Sequence, residues 1–147
     1  MYSFAQLLSS RRSGLYLFRE NPRSDAMDKL CRLKGVRLFR VDASRARSKQ
    51  RFLAAAARAM DFPDWFGANW DAFADCVTDL QWAPADAYVV LLENIQGFAR
   101  RAPRDFRTAL RILEEAAQFW NEAGVPFHVL VAGAQNTSAT LPAVSPP

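Results

Sequence analysis

Apolar residues recur along this chain with spacings that alternate between those of helices and those of strands. Residues 24–33 have the pattern of a short helix that Gly35 ends, and the next segment, Val36–Asp42, alternates apolar and basic positions as a strand does. Ser48 is a typical N-cap for a following helix. The apolar positions of that helix recur at helical spacing: Phe52, Ala55, Ala56, Ala59 and Met60.

The second half of the chain continues this alternation. Asn69 can cap a helix whose apolar face holds Trp70, Phe73, Val77 and Leu80. The run Ala87–Glu93 is continuously apolar, as in a strand covered on both faces. Residues 106–120 predict a long helix, which Gly124 ends before a last strand at 126–131. The pattern therefore predicts an α/β fold in which helices cover a small parallel sheet.

The two ends of the chain differ from its middle. We expect a basic N-terminal extension over residues 1–35, which includes the apolar run Leu15–Phe18, one domain over 36–133, and a disordered Pro-rich tail over 134–147. No apolar run approaches the roughly 20 residues of a membrane span, and the first residues do not have the pattern of a secretory signal. The sequence thus predicts a cytoplasmic protein with no membrane partner.

The two cysteines, Cys31 and Cys76, stand at unrelated positions and are expected to be free thiols. The lone histidine, His128, lies inside an apolar strand and is expected to be structural. No metal-ligand spacing and no glycine-rich phosphate motif occurs in the sequence. No cofactor is implied.

Charge is sorted along the chain. Residues 59–99 hold seven acids and no lysine or arginine, whereas residues 1–58 have a net charge of +10. The overall charge of +4 hides this contrast. Sorted charge steers partners more than net charge does, so the acidic middle segment is the first candidate for a binding surface.

The acidic segment contains a shaped loop over residues 62–68, followed by a helix. Pro63 stops the preceding helix, and Gly67 is expected to permit a backbone conformation that would strain other residues. Asp71 and Asp75 are four residues apart and share one face of the following helix, where they repel each other. One such pair lacks the opposed placement that acid–base catalysis on a sugar needs, so an enzyme is not expected.

These residues resemble the barstar family of intracellular inhibitors of the ribonuclease barnase. The resemblance rests on Pro63-Asp64-Trp65-Phe66-Gly67, then Asn69, Asp71 and Asp75-Cys76, and covers roughly Val36 to Val131. It implies an α/β fold that presents the loop and helix to a ribonuclease active site. The partner-binding residues that it implies are Trp65, Gly67, Asn69, Asp71, Ala74 and Asp75.

The resemblance further implies a role for each side chain. Asp75 would imitate a substrate phosphate, Asp71 would add to the field, and Trp65 would occupy a base or ribose subsite. The family's tryptophan on this helix is replaced by Ala74. A glutamate on the family's last helix corresponds either to Glu115 or, without a gap, to Phe119.

Two functions follow as expectations. The first is an inhibitor, monomeric when free, of a small basic ribonuclease or nuclease toxin. The second, less favoured, is a nucleic-acid-binding module that uses the basic N-terminal region, including Arg37, Arg40, Arg45, Arg47, Lys49 and Arg51.

Overall fold

The structure is a computed structural model that describes residues 2–10, 13–18, 24–133 and 143–145. Six helices and six strands lie within these ranges. In chain order they are β1 (Tyr2–Ser3), α1 (Phe4–Ser9), β2 (Gly14–Phe18), α2 (Ser24–Leu33), β3 (Val36–Asp42), α3 (Lys49–Ala59), α4 (Trp70–Val77), β4 (Ala87–Glu93), α5 (Gln96–Arg101), α6 (Pro103–Glu122), β5 (Phe127–Ala132) and β6 (Ala143–Ser145).

The strands form one parallel sheet in the order β1-β6-β2-β5-β4-β3. The longest pairing aligns β3 with β4 over seven residues, from Val36 opposite Ala87 to Asp42 opposite Glu93. Parallel neighbours need a crossover between them, and helices provide the crossovers here. The predicted α/β fold with a helix-covered parallel sheet is confirmed.

Helices cover both faces of the sheet. On one face α3, α4, α5 and α6 pack around a large apolar core that includes Phe52, Phe73 and Leu113. On the other face α1 and α2 bury a smaller core that includes Phe4 and Met27. Strand β4 faces both cores, because Val90 and Leu92 point to the first and Val89 and Leu91 to the second. This two-sided burial explains its continuous apolar run.

The helix ends follow the sequence signals. The Ser48 hydroxyl accepts a hydrogen bond from the Arg51 amide at 3.3 Å and caps α3. Gly35 and Gly124 follow α2 and α6 with φ of 69° and 78°, a conformation that favours glycine. The predicted start of α3 and the predicted ends of α2 and α6 are therefore confirmed, whereas α6 begins at Pro103, three residues before the predicted Phe106.

Two described segments of the predicted N-terminal extension, β1 and β2, belong to the same sheet as the rest of the chain. Strand β2 lies between β5 and β6 and pairs with β5 from Gly14–His128 to Phe18–Ala132. Of the tail predicted to be disordered, 134–142 and 146–147 lie outside the described residues, whereas Ala143–Ser145 form β6. Among the described helices, none is long and apolar enough to cross a membrane.

Candidate functional site

The connection between α3 and α4 is supported from below by packed aromatic rings. The Phe62 ring centroid lies 4.9 Å from that of Phe66 and 6.1 Å from those of Phe73 and Trp82. The Trp82 indole donates a hydrogen bond to the Met60 carbonyl at 2.8 Å, which fixes Trp82 against the end of α3. These contacts hold the loop in one shape, although most of its residues from 64 to 69 are exposed.

Trp65 is the large apolar side chain that this loop presents to solvent. Its side chain is 56% exposed, and its ring meets Trp82 edge-on with centroids 6.4 Å apart. Phe66, by contrast, is half-buried against Phe62. Of the two loop aromatics, Phe66 therefore serves the core, whereas Trp65 is available to a partner.

The loop geometry corrects one expectation about Gly67. The residues with left-handed backbone are Asp61 and Ala68, each with φ of 52°, and Gly67 is not among them. The prediction that Gly67 supplies a strained conformation is wrong. A Cβ at this position would instead lie 3.3 Å from the Asn69 side-chain nitrogen, a tight contact that the Asn69 side chain would have to relieve by a shift of a few tenths of an ångström.

Asn69 sets the start of α4, as predicted. Its side-chain oxygen accepts a hydrogen bond from the Ala72 amide at 2.8 Å. Phe73, Cys76 and Val77 are buried beneath the helix, and Trp70 is half-buried against Phe52. Burial of this apolar face fixes the rotation of α4, and hence which residues face the solvent.

Asp71 and Asp75 lie on the exposed face of α4. Their spacing places the two Cβ atoms about 6 Å apart. Neither carboxylate takes part in an ion pair with another residue of the described chain. Asp71 lies in the first turn, where the helix dipole stabilises a negative charge. The two charges are thus accessible to a cationic partner.

The acidic segment is partly neutralised elsewhere. Asp61 pairs with Arg37 at 3.5 Å, and Glu93 pairs with Arg40 at 3.1 Å. Both arginines lie on β3, so these pairs depend on the fold and are not visible in the sequence. The acids of the segment without an ion pair among the described residues are Asp64, Asp71, Asp75, Asp79 and Asp86, and of these only Asp71 and Asp75 lie on α4.

The C-terminal end of α4 is attached to α6. The Trp120 indole donates a hydrogen bond to the Val77 carbonyl at 2.8 Å. Within the α4 segment, the Thr78 hydroxyl donates a hydrogen bond to the carbonyl of the half-buried Ala74 at 2.8 Å. Phe119, directly before Trp120, is 47% exposed and packs edge-on against it. Sequence periodicity predicted that Trp120 faces the core but gave no sign that it holds α4.

The site has few groups suited to catalysis. Burial and, to a smaller extent, the nearby Asp75 and Asp79 charges together raise the pKa of the Cys76 thiol to about 11. The thiol is therefore protonated and unreactive at neutral pH. His128 lies on β5 and faces the other core. Among the described residues, no three His, Cys, Asp or Glu side chains are grouped as metal ligands would be.

The structure brings the six site residues predicted from the sequence into one loop and helix: Trp65, Gly67, Asn69, Asp71, Ala74 and Asp75. Five of the six residues are exposed, and Ala74 is half-buried. Asn69 and Gly67 shape the turn that leads into α4. The arrangement suits the binding of a cationic surface beside an aromatic contact.

Comparison with known proteins gives one family. Residues 36–132 match the sequence model described as barstar, the barnase inhibitor. The match begins at β3 and ends at β5, and so includes the loop and α4. Among curated proteins, no relative matches the chain.

Solved structures show a similar fold in a larger protein. The Aeropyrum pernix ORC2 protein, in its ADPNP–ADP complexes, is 19% identical with a TM-score of 0.52, over 86% of this chain and 36% of that one. Its ADP form is also 19% identical, with a TM-score of 0.54, over 86% of this chain and 37% of that one. This chain thus spans little more than a third of those proteins, and the likeness concerns the fold alone.

Proposed function

Because this chain belongs to the barstar family, we propose that it binds a small basic ribonuclease or a related nuclease toxin and blocks that enzyme's active site. The observation that carries the proposal is the exposed pair Asp71 and Asp75, which lies on a fixed helix without ion-pair partners in the described chain. In this proposal the chain is an inhibitor and not an enzyme, and it acts in the cytoplasm.

Charge complementarity supports this kind of partner. A nuclease that cleaves RNA needs cations in its active site to bind phosphate groups. Asp75 would occupy a phosphate position and accept hydrogen bonds from those cations, and Asp71 would strengthen the field. Accessible like charges on one surface also increase the rate at which an oppositely charged partner associates.

Trp65 supplies the second element of the proposed interface. Exposed tryptophans are enriched among the residues that dominate binding energy, because a large rigid ring buries much area at little entropic cost. The Trp65 indole, supported by Trp82, would fill the nuclease subsite that otherwise holds a base or ribose.

The rigidity of the site supports tight binding. Phe62 and the Trp82 hydrogen bond fix the loop, and Asn69 and Trp120 fix the two ends of α4. Groups that are already ordered lose little conformational entropy on binding. A site of this kind can use most of its contacts for affinity.

The charge pair is tested by affinity capture from the host's lysate and secreted fraction, followed by mass spectrometry. The baits are the wild-type chain, the Asp71→Ala/Asp75→Ala variant and a control, Asp79→Ala/Asp86→Ala, which removes two charges of the same acidic segment. We expect a small basic nuclease with the wild type and the control and its loss with the first variant. Recovery of identical proteins by all three baits would contradict the proposal.

The strength of the contact is tested on the captured nuclease by titration calorimetry. Asp75→Ala is expected to weaken binding by about 2 kcal/mol or more, the level of an interface hot spot. The matched Asp86→Ala variant should bind as the wild type does. Circular dichroism of both variants checks that the fold is intact.

A further inference from the structure

Two groups of basic residues that are far apart in the sequence lie at one edge of the sheet. Residues 45–51 hold Arg45, Arg47, Lys49 and Arg51 without an acid, and residues 100–104 hold Arg100, Arg101 and Arg104 without an acid. The first group leads into α3, and the second ends α5 and begins α6.

The topology explains why the two groups meet. Strands β3 and β4 are parallel neighbours, so the segments that follow them leave from the same carboxyl edge of the sheet. The rings of Phe52 in α3 and Phe98 in α5 stack with centroids 4.8 Å apart and planes 6° apart. Lys49, Arg51, Arg100 and Arg101 all lie within one helical turn of this stacked pair.

The basic surface is exposed and little neutralised. Six of its seven side chains are exposed and Lys49 is half-buried. None of the seven takes part in an ion pair with another described residue. The nearby Asp42 accepts hydrogen bonds from the Ser44 amide at 3.0 Å and the Asn94 side chain at 3.5 Å, and the Arg45 charge also contributes to lowering its pKa. The acid nearest in sequence to the second basic group is Asp105, in the first turn of α6, and it forms no ion pair with another described residue.

The chemistry of this surface favours one class of partner. The exposed large apolar side chains of the described chain are Leu33, Trp65 and Phe119, and none belongs to the basic surface. Protein interfaces and membrane-binding helices need an apolar centre or anchor, and single-stranded nucleic acids are held by aromatic stacking. Basic side chains without an apolar anchor, most of them arginines, suit the phosphate backbone of a duplex, which has the highest charge density.

We propose that the basic surface formed by the start of α3 and the α5–α6 junction binds the phosphate backbone of double-stranded nucleic acid, without sequence preference. Neither Asp71 nor Asp75 belongs to this surface, although Trp70, the residue before Asp71, packs against Phe52 with ring centroids 6.1 Å apart. The proposed duplex binding does not depend on the proposed nuclease partner, and its test contains no nuclease.

The test is fluorescence anisotropy with a short labelled duplex at about 50 and 200 mM salt. The variant Arg51→Gln/Arg100→Gln/Arg101→Gln removes one positive charge from the first basic group and two from the second. The control, Arg32→Gln/Lys34→Gln/Arg58→Gln, removes the same charge from exposed positions elsewhere. We expect the first variant to bind at least about tenfold more weakly at low salt, and its slope of log K against log salt to fall by about 3.

Three further results separate this proposal from its alternatives. The control variant should bind within about twofold of the wild type, and Asp71→Ala/Asp75→Ala should bind at least as tightly as the wild type. Equal losses in both arginine variants would show an effect of net charge and overturn the proposal. Tighter binding of a single strand, of polyglutamate or of phosphatidylserine vesicles than of the duplex would also overturn it.

Discussion

At the scale of single residues, Asn69 and Gly67 together determine where the acidic pair lies. The Asn69 side chain caps α4 through the Ala72 amide, and this places Asp71 in the first turn. The glycine leaves room for the Asn69 side chain, which a Cβ at position 67 would approach to 3.3 Å. The position of Asp71 is thus set by the Asn69 cap, for which Gly67 leaves room without adopting a left-handed backbone.

His128 is a buried residue with a different consequence. It is 1% exposed, packs edge-on against Tyr16, and makes no well-formed hydrogen bond through either ring nitrogen within the described chain. Burial lowers its pKa from 6.5 to about 4, and the backbone of Ser10 opposes this only in part. The folded protein therefore holds the imidazole neutral.

This burial predicts acid sensitivity. The unfolded chain binds a proton at His128 below about pH 6.5 and the folded chain only near pH 4, so stability should be lost as the pH falls between these values. The expected loss is at most about 3 kcal/mol. Urea unfolding from pH 7.5 to 4.5 measures it.

The matched variant for this prediction is His128→Leu, which fills the site and cannot titrate. The difference in unfolding free energy between wild type and variant should change across the same pH range. A difference that does not depend on pH would contradict the assignment. Hydrogen bonds from Ser44 lower the pKa of Asp42, so the loss of stability on protonation of Asp42 occurs at a pH below the range used for His128.

At the scale of elements, α4 is a short helix that depends on its neighbours. A helix of eight residues is not stable alone, and here Phe73, Cys76 and Val77 are buried while Trp120 bonds to the Val77 carbonyl. Through this bond α6 holds the end of α4 that follows Asp75. The geometry of the site is therefore a property of the helix pair.

The variant Trp120→Phe tests this dependence. It removes the donor to the buried Val77 carbonyl, and we expect a loss of about 1 to 3 kcal/mol in unfolding free energy. Phe119→Leu changes the exposed neighbour and should alter stability by less than about 0.5 kcal/mol. Equal effects of the two changes in thermal or urea unfolding would show that the hydrogen bond does not matter.

The elements differ in how far the sequence could predict them. Caps and apolar spacing are local, so α3, α4, α6 and the strands β3, β4 and β5 were predictable. The pairs Arg37–Asp61 and Arg40–Glu93 join distant segments and needed the topology. Leu15–Phe18 showed only a short apolar run, which cannot by itself reveal an inner strand.

At the scale of the whole molecule, charge is separated between two surfaces. The acids Asp71 and Asp75 lie on the exposed face of α4, and the basic groups follow the carboxyl ends of β3 and β4. In the sequence, the basic residues form an N-terminal block. Arg100 and Arg101 join them only in the fold, where the Phe98 ring of α5 stacks on the Phe52 ring of α3.

The first 35 residues are expected to be needed for folding, although the barstar match begins at residue 36. Without them β5 loses its partner β2, and Val89, Leu91 and Leu130 lose the cover of Phe18 and Met27. A chain of residues 36–133 should therefore lose cooperative unfolding, as followed by circular dichroism and size-exclusion chromatography. Met27→Asp in the full chain should be strongly destabilising for the same reason.

A cooperative, monomeric fragment would contradict this prediction. Its thermal midpoint is the quantity to compare, and a value within about 5 °C of the full chain would show that β2 and α2 are dispensable. In that case the smaller core would not contribute to the stability of the family domain.

In the proposed function, the acidic helix occupies the active site of a nuclease. This occupancy is tested by adding the chain to the captured nuclease and following cleavage of a fluorogenic RNA. We predict that cleavage stops at one chain per nuclease, and that Asp71→Ala/Asp75→Ala requires at least about thirtyfold more protein for the same effect. A nuclease that stays fully active when saturated with the wild-type chain would show that the acidic helix does not block the active site.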